Sequence, residues 1–263
     1  IKGDIRNQEL LKKIIPGHDV VIHLACISND PSFELNPTLG KSINYDAFEP
    51  LVKISRENKV NRFVYASSSS VYGIKKEKDV TEDMKLEPLT DYSKFKGQCE
   101  KILNSYKSDD FITTTIRPST VCGYAKRQRL DLVVNILTNH AFHNRKIKVF
   151  GGDQLRPNVH INDMVNSYLT VLEANYKKVN GEIFNVGYKN QTVNELANNV
   201  REVIGEDIEI IKTASDDNRS YHVSCKKISN LLGFNTQFTI KDAVLDLKKA
   251  FEKKLIVNSF EEE

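Results

Sequence analysis

The chain has 263 residues, of which 40% are hydrophobic and 28% charged, and its formal net charge at pH 7 is +3. This composition is typical of a soluble globular protein with one large domain, or a domain and a smaller lobe, and it excludes an intrinsically disordered chain. The charge is too small to indicate a nucleic-acid partner, and no apolar run approaches the roughly 20 residues of a membrane span.

The four cysteines and the first residues bear on the cellular compartment. Cys26, Cys99, Cys122 and Cys225 are far apart in sequence and form neither a Cys-x-x-Cys pair nor a zinc-binding spacing. We therefore expect reduced thiols, no metal centre and, since the first residues show no signal-peptide pattern, a cytoplasmic protein without a membrane partner.

Predicted helices and strands alternate in the first half of the chain. They are a helix over residues 7–15, a strand over 19–25, a loop over 28–37, a helix over 43–58, a strand over 62–66 that ends in the serines of 67–70, a helix over 92–106 and a strand over 111–117. The strands are apolar or β-branched runs, which are typical of strands buried on both faces of a parallel sheet.

The helix over residues 92–106 presents a phenol and an ammonium together. Thr90 or Asp91 is placed to cap its first turn. Tyr92 and Lys96 are four residues apart and project from the same helix face. A nearby cation stabilises a phenolate, so a tyrosine in this setting can take a proton from a hydroxyl group at neutral pH. The alternative is that both are ordinary helix residues in chance register.

After Gly123 the predicted elements build a smaller unit. They are a helix over residues 127–143, a strand over 146–150, a helix over 163–175, a strand over 182–186, a helix from the capping box of Thr192 and Glu195 to residue 204, a short strand over 208–211, and helices over 226–232 and 240–253. The strand over 182–186 is expected to return to the main sheet.

The whole pattern predicts an α/β protein with a doubly wound parallel sheet and a smaller α/β lobe. We assign residues 1–123 and 182–190 to the sheet domain, and residues 124–181 and 191–263 to the lobe. Ligands of such sheets bind at the carboxyl ends of the strands. The serine run and the 26–37 and 118–128 loops are expected to meet there.

Three motifs stand in one order: Leu24-Ala25 ending a buried strand, the segment from Ser67 to Gly73 ending the next, and the pair of Tyr92 and Lys96. Together they resemble the extended short-chain dehydrogenase/reductase family, in its NAD-dependent nucleotide-sugar epimerase/dehydratase group. The likeness extends over residues 3–245. It implies a Rossmann-type sheet domain that binds NAD or NADP, a lobe that binds a nucleotide sugar, and a homodimer.

The resemblance also implies roles for individual residues. Tyr92 matches the general acid/base, Lys96 the residue that binds the cofactor ribose and lowers the pKa of the tyrosine, and Ser68 the hydroxyl that holds the reacting oxygen. The cofactor-binding positions are matched by Asp4, Ile5, Leu24, Ala25, Cys26, Asn44, Tyr92, Lys96, Pro118 and Ser119. The substrate-binding positions are assigned to Ser69, Thr120, Arg129, Arg156 and Arg219, since a guanidinium fork suits a diphosphate.

Some of these residues have a structural alternative. Asn44 is equally suited to bonding a loop carbonyl. Arg127 and Arg129 are either a solvated helix start or phosphate contacts at the mouth of a cleft. His160 and Asp163 are more typical of a helix-entry hydrogen bond and an N-cap than of a catalytic pair.

The chain departs from the family pattern in places. No Gly-x-x-Gly-x-x-Gly turn precedes Asp4. A βαβ unit alone takes about 30 residues or more, so we expect that the first βαβ unit and further chain, on the order of 55–60 residues, are missing and that the chain is N-terminally truncated. Ser69 and Ser70 stand where the 4,6-dehydratase branch has Asp-Glu, and hydroxyl groups cannot act as the acid and base of a dehydration. Thr120 replaces an asparagine of many hexose epimerases, which argues against a common UDP-galactose epimerase.

The resemblance therefore implies an enzyme of polysaccharide biosynthesis, an NAD(P)-dependent oxidoreductase or epimerase. It would act on a nucleotide-activated sugar by hydride transfer at a sugar hydroxyl carbon. The alternatives are an NADPH-dependent keto-sugar reductase and a catalytically idle dinucleotide-binding scaffold, the latter because the truncated chain lacks the glycine turn.

Overall fold

The computed structural model describes residues 1–214, 222–257 and 259. Its strands are β1 (Val20–His23), β2 (Arg62–Ala66), β3 (Ile112–Pro118), β4 (Thr120–Cys122), β5 (Lys146–Phe150), β6 (Leu155–His160), β7 (Glu182–Val186), β8 (Asn190–Thr192) and β9 (Glu209–Thr213). Its helices are α1 (Gln8–Ile14), α2 (Asp30–Glu34), α3 (Pro37–Lys41), α4 (Phe48–Glu57), α5 (Asp91–Ser105), α6 (Val133–Asn144), α7 (Ile161–Glu173), α8 (Val193–Ile204), α9 (Lys226–Leu232) and α10 (Ile240–Glu252). The predicted substrate residue Arg219 lies outside the described residues.

A four-stranded parallel sheet in the order β1-β2-β3-β7 carries the candidate site. The predicted α/β class and the return of β7 to this sheet are confirmed. Parallel strands end on the same edge of a sheet, so the segments that follow β1, β2 and β3 are brought together there.

Helices cover both faces of this sheet. Because side chains alternate along a strand, Phe63 and Tyr65 of β2 face one layer and Val64 faces the other. The first layer is α1, α4 and α5, and the second contains α7 and α9, with Met164 and Ile228 among the residues of its core. The predicted division placed α7 and α9 in the lobe, whereas their apolar faces pack on the main sheet.

The smaller lobe has a core of its own. Helices α6, α8 and α10 pack with the parallel pair β5 and β9 around a cluster that includes Leu137, Val149, Val200 and Val244. The predicted capping box starts α8: Thr192 Oγ1 accepts from the amide of Glu195 at 3.1 Å, and Glu195 Oε2 accepts from the amide of Thr192 at 2.7 Å.

The structure corrects several predicted bounds. The predicted 28–37 loop contains α2 and ends at the first residue of α3, because Asn29 and Asn36 cap the first turns of these two helices with their side-chain oxygens. The single helix over 43–58 is a π-helical turn over 42–46 followed by α4. Helix α6 begins at Val133 rather than at residue 127, since Gln128 bonds the backbone of Ala125 and Arg129 and holds this segment as a loop.

Two further differences concern strands. Strand β1, expected to be buried on both faces, lies at the edge of the sheet and leaves Val20 and Ile22 36% and 39% exposed. The three-stranded sheet β4-β6-β8 was not predicted, because two of its strands have only three residues and no clear alternation. Within the described ranges, no helix is both long and apolar enough to cross a bilayer.

Candidate active site

A cleft of about 450 Å³ opens at the carboxyl ends of the central strands. Its lining contains residues that are far apart in sequence and that were predicted to belong to the site. The predicted site residues that line it are Cys26, Ser68, Ser69, Tyr92, Lys96, Pro118, Ser119, Thr120 and Arg129. The three predicted catalytic residues therefore share one cavity.

Ser68 occupies a turn directly after β2. Its backbone is extended, and its Oγ caps the 3₁₀ turn Ser69–Tyr72 by accepting from the amide of Ser70 at 3.1 Å and from the hydroxyl of Ser70 at 2.9 Å. The Ser68 side chain and the Tyr92 phenol line the same cleft. The turn thus holds the Ser68 hydroxyl in the cleft that Tyr92 also lines.

Tyr92 lies in the first turn of α5, which Thr90 rather than Asp91 caps. Its side chain is buried, and this burial raises the pKa of Tyr92 well above its usual value. The acidic groups of Cys26 and Asp30 raise the pKa further, while the Ser68 hydroxyl and the Arg129 guanidinium oppose the shift. The phenol is therefore protonated at neutral pH.

Lys96 reaches the same cleft from the next turn of α5. The residue is 4% exposed, its Nζ donates to the carbonyl of Ala66 at 2.6 Å, and the ammonium lies 5.0 Å from the ring centroid of Tyr65 and 5.8 Å from that of Tyr92. The predicted lowering of the Tyr92 pKa is wrong for this arrangement, since burial dominates and the ammonium is directed to the end of β2.

The donors around the cleft fit one end of a dinucleotide. An ammonium has three N–H donors, and the structure gives that of Lys96 one acceptor, Ala66 O. Ser119 Oγ is buried and, among the described residues, has no hydrogen-bond partner. These groups suit the ribose hydroxyls and carboxamide of a nicotinamide nucleotide.

Other predicted cofactor residues lie outside the cleft lining. Asp4 forms a two-oxygen ion pair with Arg6, which lowers the pKa of Asp4 to about 2. Ile5 lies beside a separate hollow, and Leu24 and Ala25 are exposed after β1.

Asn44 adopts the structural alternative. Its Oδ1 accepts from the amide of Ile27 at 2.8 Å and its Nδ2 donates to the carbonyl of Ile27 at 2.9 Å. Both ends of the amide are thereby used to hold the loop that contains Cys26 against the π-helical turn over residues 42–46.

The arginines divide into two places. Arg127 and Arg129 line the mouth of the cleft. Arg129 donates to the carboxylate of Asp131, and its Nη1 also donates to the hydroxyl of Ser28, another cleft residue, at 3.4 Å. Arg156 lies on β6, opposite Gln191 of β8, and is not part of the cleft lining.

His160 and Asp163 are structural. His160 Nδ1 accepts from the amide of Asn162 and so caps α7, and its ring stacks on that of Phe238. Asp163, expected to be the N-cap, instead accepts from the backbone amides of Gln237 and Phe238 at 2.8 and 3.0 Å.

Sequence reasoning missed other wall residues, notably Asp30, Gln128 and Asn135. Asp30 follows the capping residue Asn29, a signal that would have placed it at a helix start. The cysteines are free thiols, and the described part of the chain holds no group of three or more His, Cys, Asp or Glu side chains arranged for a metal ion.

Comparisons with known proteins agree with this architecture. The chain is 27% identical over 226 residues to a UDP-glucose 4-epimerase of Lactobacillus helveticus, covering 79% of this chain and 68% of that protein. It is 34% identical over 182 residues to an uncharacterized UDP-glucose epimerase, YtcB, of Bacillus subtilis, covering 67% and 55%. The UDP-glucose 4-epimerase of Thermotoga maritima, solved with UDP-glucose, has the same fold with a TM-score of 0.86 at 22% identity, over 97% of this chain and 85% of that one.

The chain spans 55–68% of the length of these two curated relatives. The sequence model of the NAD dependent epimerase/dehydratase family matches residues 1–187 and therefore includes every segment that contributes to the cleft. The chain belongs to the NAD dependent epimerase/dehydratase family.

Proposed function

We propose that the cleft is the active site of an NAD-dependent epimerase or oxidoreductase that acts on a nucleotide-activated sugar. The single observation that carries this proposal is that Ser68, Tyr92 and Lys96 line one cleft at the carboxyl ends of the strands. Family membership supports the enzyme class and the cofactor.

The chain's own residues would handle the proton and the oxygen. NAD, when bound, supplies the acceptor and donor of hydride at the sugar carbon. Tyr92, protonated in its buried setting, is suited to donate a proton to a sugar oxygen and to take it back in the reverse direction. Ser68 would hold that oxygen, and Lys96 and Ser119 would hold the nicotinamide end of the cofactor.

The mouth of the cleft suits an anionic substrate. Arg127 and Arg129 both line the cleft, and a guanidinium fork binds phosphate oxygens in a fixed orientation. Binding the diphosphate there would place the sugar near Ser68 and Tyr92, so that binding energy remote from the reacting carbon orients it.

Dehydration is not favoured by the residues of the cleft. Ser69 and Ser70 carry hydroxyl groups, and Ser70 Oγ already donates to Ser68 Oγ at 2.9 Å. The carboxylate of Asp30 on the wall accepts from the Thr90 hydroxyl at 2.6 Å. Epimerisation needs only the removal and return of a hydride at one sugar carbon and of the proton of its hydroxyl group, which this set of groups would supply together with NAD.

The UDP-glucose epimerases among the relatives make UDP-glucose the first substrate to test, followed by other UDP-, GDP-, CDP- and dTDP-sugars. We also propose a cytoplasmic homodimer formed through α4 and α5, on the family resemblance.

The test is turnover of UDP-glucose with NAD by sugar NMR and nicotinamide absorbance. Tyr92→Phe removes only the phenolic oxygen and is expected to lower kcat by a factor of about 10²–10⁴. Tyr106→Phe, a change at the surface end of the same helix, is the matched control and should leave kcat unchanged. Equal rates in the wild type and Tyr92→Phe would remove Tyr92 from its proposed role.

A further inference from the structure

A buried ion pair joins α5 to β3 and bonds Ser67, which lines the cleft. Arg117 of β3 and Glu100 of α5 have side chains that are 3% and 4% exposed, and the guanidinium Nε and Nη2 donate to the two carboxylate oxygens at 3.0 and 2.7 Å. A buried pair adds little net stability over well-packed apolar side chains, since desolvating both charges is costly. Its connections to neighbouring segments suggest a different role.

The carboxylate joins the segments that carry the proposed catalytic groups. Ser67 Oγ donates to Glu100 Oε1, and Ser67 immediately precedes Ser68. Glu100 lies one turn beyond Lys96 on α5, and Arg117 lies near the end of β3. One carboxylate thus connects the end of β2, the helix of the acid/base pair and the end of β3.

Arg117 holds the other end of the serine turn. Its Nη1 donates to the hydroxyl of Tyr72 at 2.7 Å and to the carbonyl of Glu82 at 3.1 Å. Tyr72 ends the 3₁₀ turn that Ser68 caps, and its hydroxyl donates to Asn185 Oδ1 at 2.7 Å. The turn is therefore fixed on both sides, by Glu100 before it and by Arg117 at its last residue.

We propose that Glu100 and Arg117 are positioning residues that fix the Ser68 hydroxyl relative to Tyr92 and Lys96. Neither contributes to the cleft lining, so both act through Ser67 and Tyr72. A buried polar network whose members are bonded to one another is stiff, because each bond strengthens its neighbours at low dielectric. This inference rests on the proposed function, since it assigns a role within that site.

Ser67→Ala is the main test because it removes one bond to Glu100 and leaves the ion pair in place. With UDP-glucose and NAD, kcat is expected to fall about tenfold or more, since small displacements of a catalytic group are costly. KM for UDP-glucose should stay within about twofold. Ser105→Ala, an exposed serine on the same helix that bonds the carbonyl of Ile102, is the matched control and should change neither constant.

Glu100→Gln gives a second variant, which keeps the shape of the side chain and removes its charge. It should also lower kcat with KM retained. An unchanged kcat in Ser67→Ala would overturn the inference, and a raised KM with kcat unchanged would show that Ser67 binds the sugar instead.

Hydrogen–deuterium exchange of the ligand-free protein supplies a readout that does not need activity. Faster exchange confined to the 67–73 segment is expected in Ser67→Ala, with thermal unfolding close to that of the wild type. Unchanged exchange of the 67–73 segment in Ser67→Ala would overturn the inference, whether or not the wild type is active. Failure of the wild type to turn over any sugar nucleotide would count against the proposed function alone.

Discussion

Removing the Tyr72 hydroxyl is the sharpest test of the network as a structural unit. Tyr72→Phe keeps the buried ring and deletes the bond from Arg117 Nη1 and the bond to Asn185 Oδ1, both 2.7 Å long. A bond to a charged group contributes about 1.5–3 kcal/mol, and an unsatisfied buried acceptor costs about 1–3 kcal/mol. Because Arg117 Nη1 retains the Glu82 carbonyl, we expect a net loss of about 2–3 kcal/mol in the free energy of unfolding.

Urea unfolding followed by circular dichroism measures this loss, and a thermal scan should show a fall in Tm of about 5–10 °C for a chain of this size. Tyr106→Phe is the matched control, because the Tyr106 hydroxyl donates to Glu49 at 3.0 Å on the surface. This substitution should lower the free energy of unfolding by less than about 1 kcal/mol. If Tyr72→Phe lowers the free energy of unfolding no more than Tyr106→Phe does, the Tyr72 hydroxyl does not stabilise the buried network.

Two further predictions concern stability. Burial and the nearby Lys96 lower the pKa of His23 to about 3, so the unfolded chain, with a histidine pKa near 6.5, binds a proton that the folded chain lacks. The free energy of unfolding should therefore fall by up to about 1.4 kcal/mol per pH unit below pH ~6.5. In His23→Phe, urea unfolding at several pH values should show a shallower dependence of this free energy on pH. An unchanged dependence would show that other groups cause it. Gly73 and Gly233 both have positive φ, of 67° and 71°, but a side chain at Gly73 meets the backbone of Glu87 while Gly233 faces open space. Gly233→Ala should lower the free energy of unfolding by about 1 kcal/mol, and Gly73→Ala should lower it by clearly more, as measured by thermal unfolding. Equal losses in the two variants would contradict this prediction.

Much of the proposed site was predictable, because its main side chains lie at positions that short stretches of sequence specify. The spacing of Tyr92 and Lys96 on a helix, and the serines after a buried strand, are sufficient to place three side chains at the carboxyl edge of a parallel sheet. The Thr192 and Glu195 capping box was predicted in the same way. Such features depend on interactions within a turn of chain, which the order of residues specifies directly.

The sequence by itself therefore determined the fold class, the main strands and the residues of the proposed chemistry. Only the tertiary structure decided the direction of the Tyr92 pKa shift, the acceptor of the Lys96 ammonium and the pairing of Glu100 with Arg117. Burial and long-range contacts set these properties, and both depend on how separate segments pack. A helical period or a residue spacing contains no information about the dielectric around a side chain, which is why that part of the site could not be predicted.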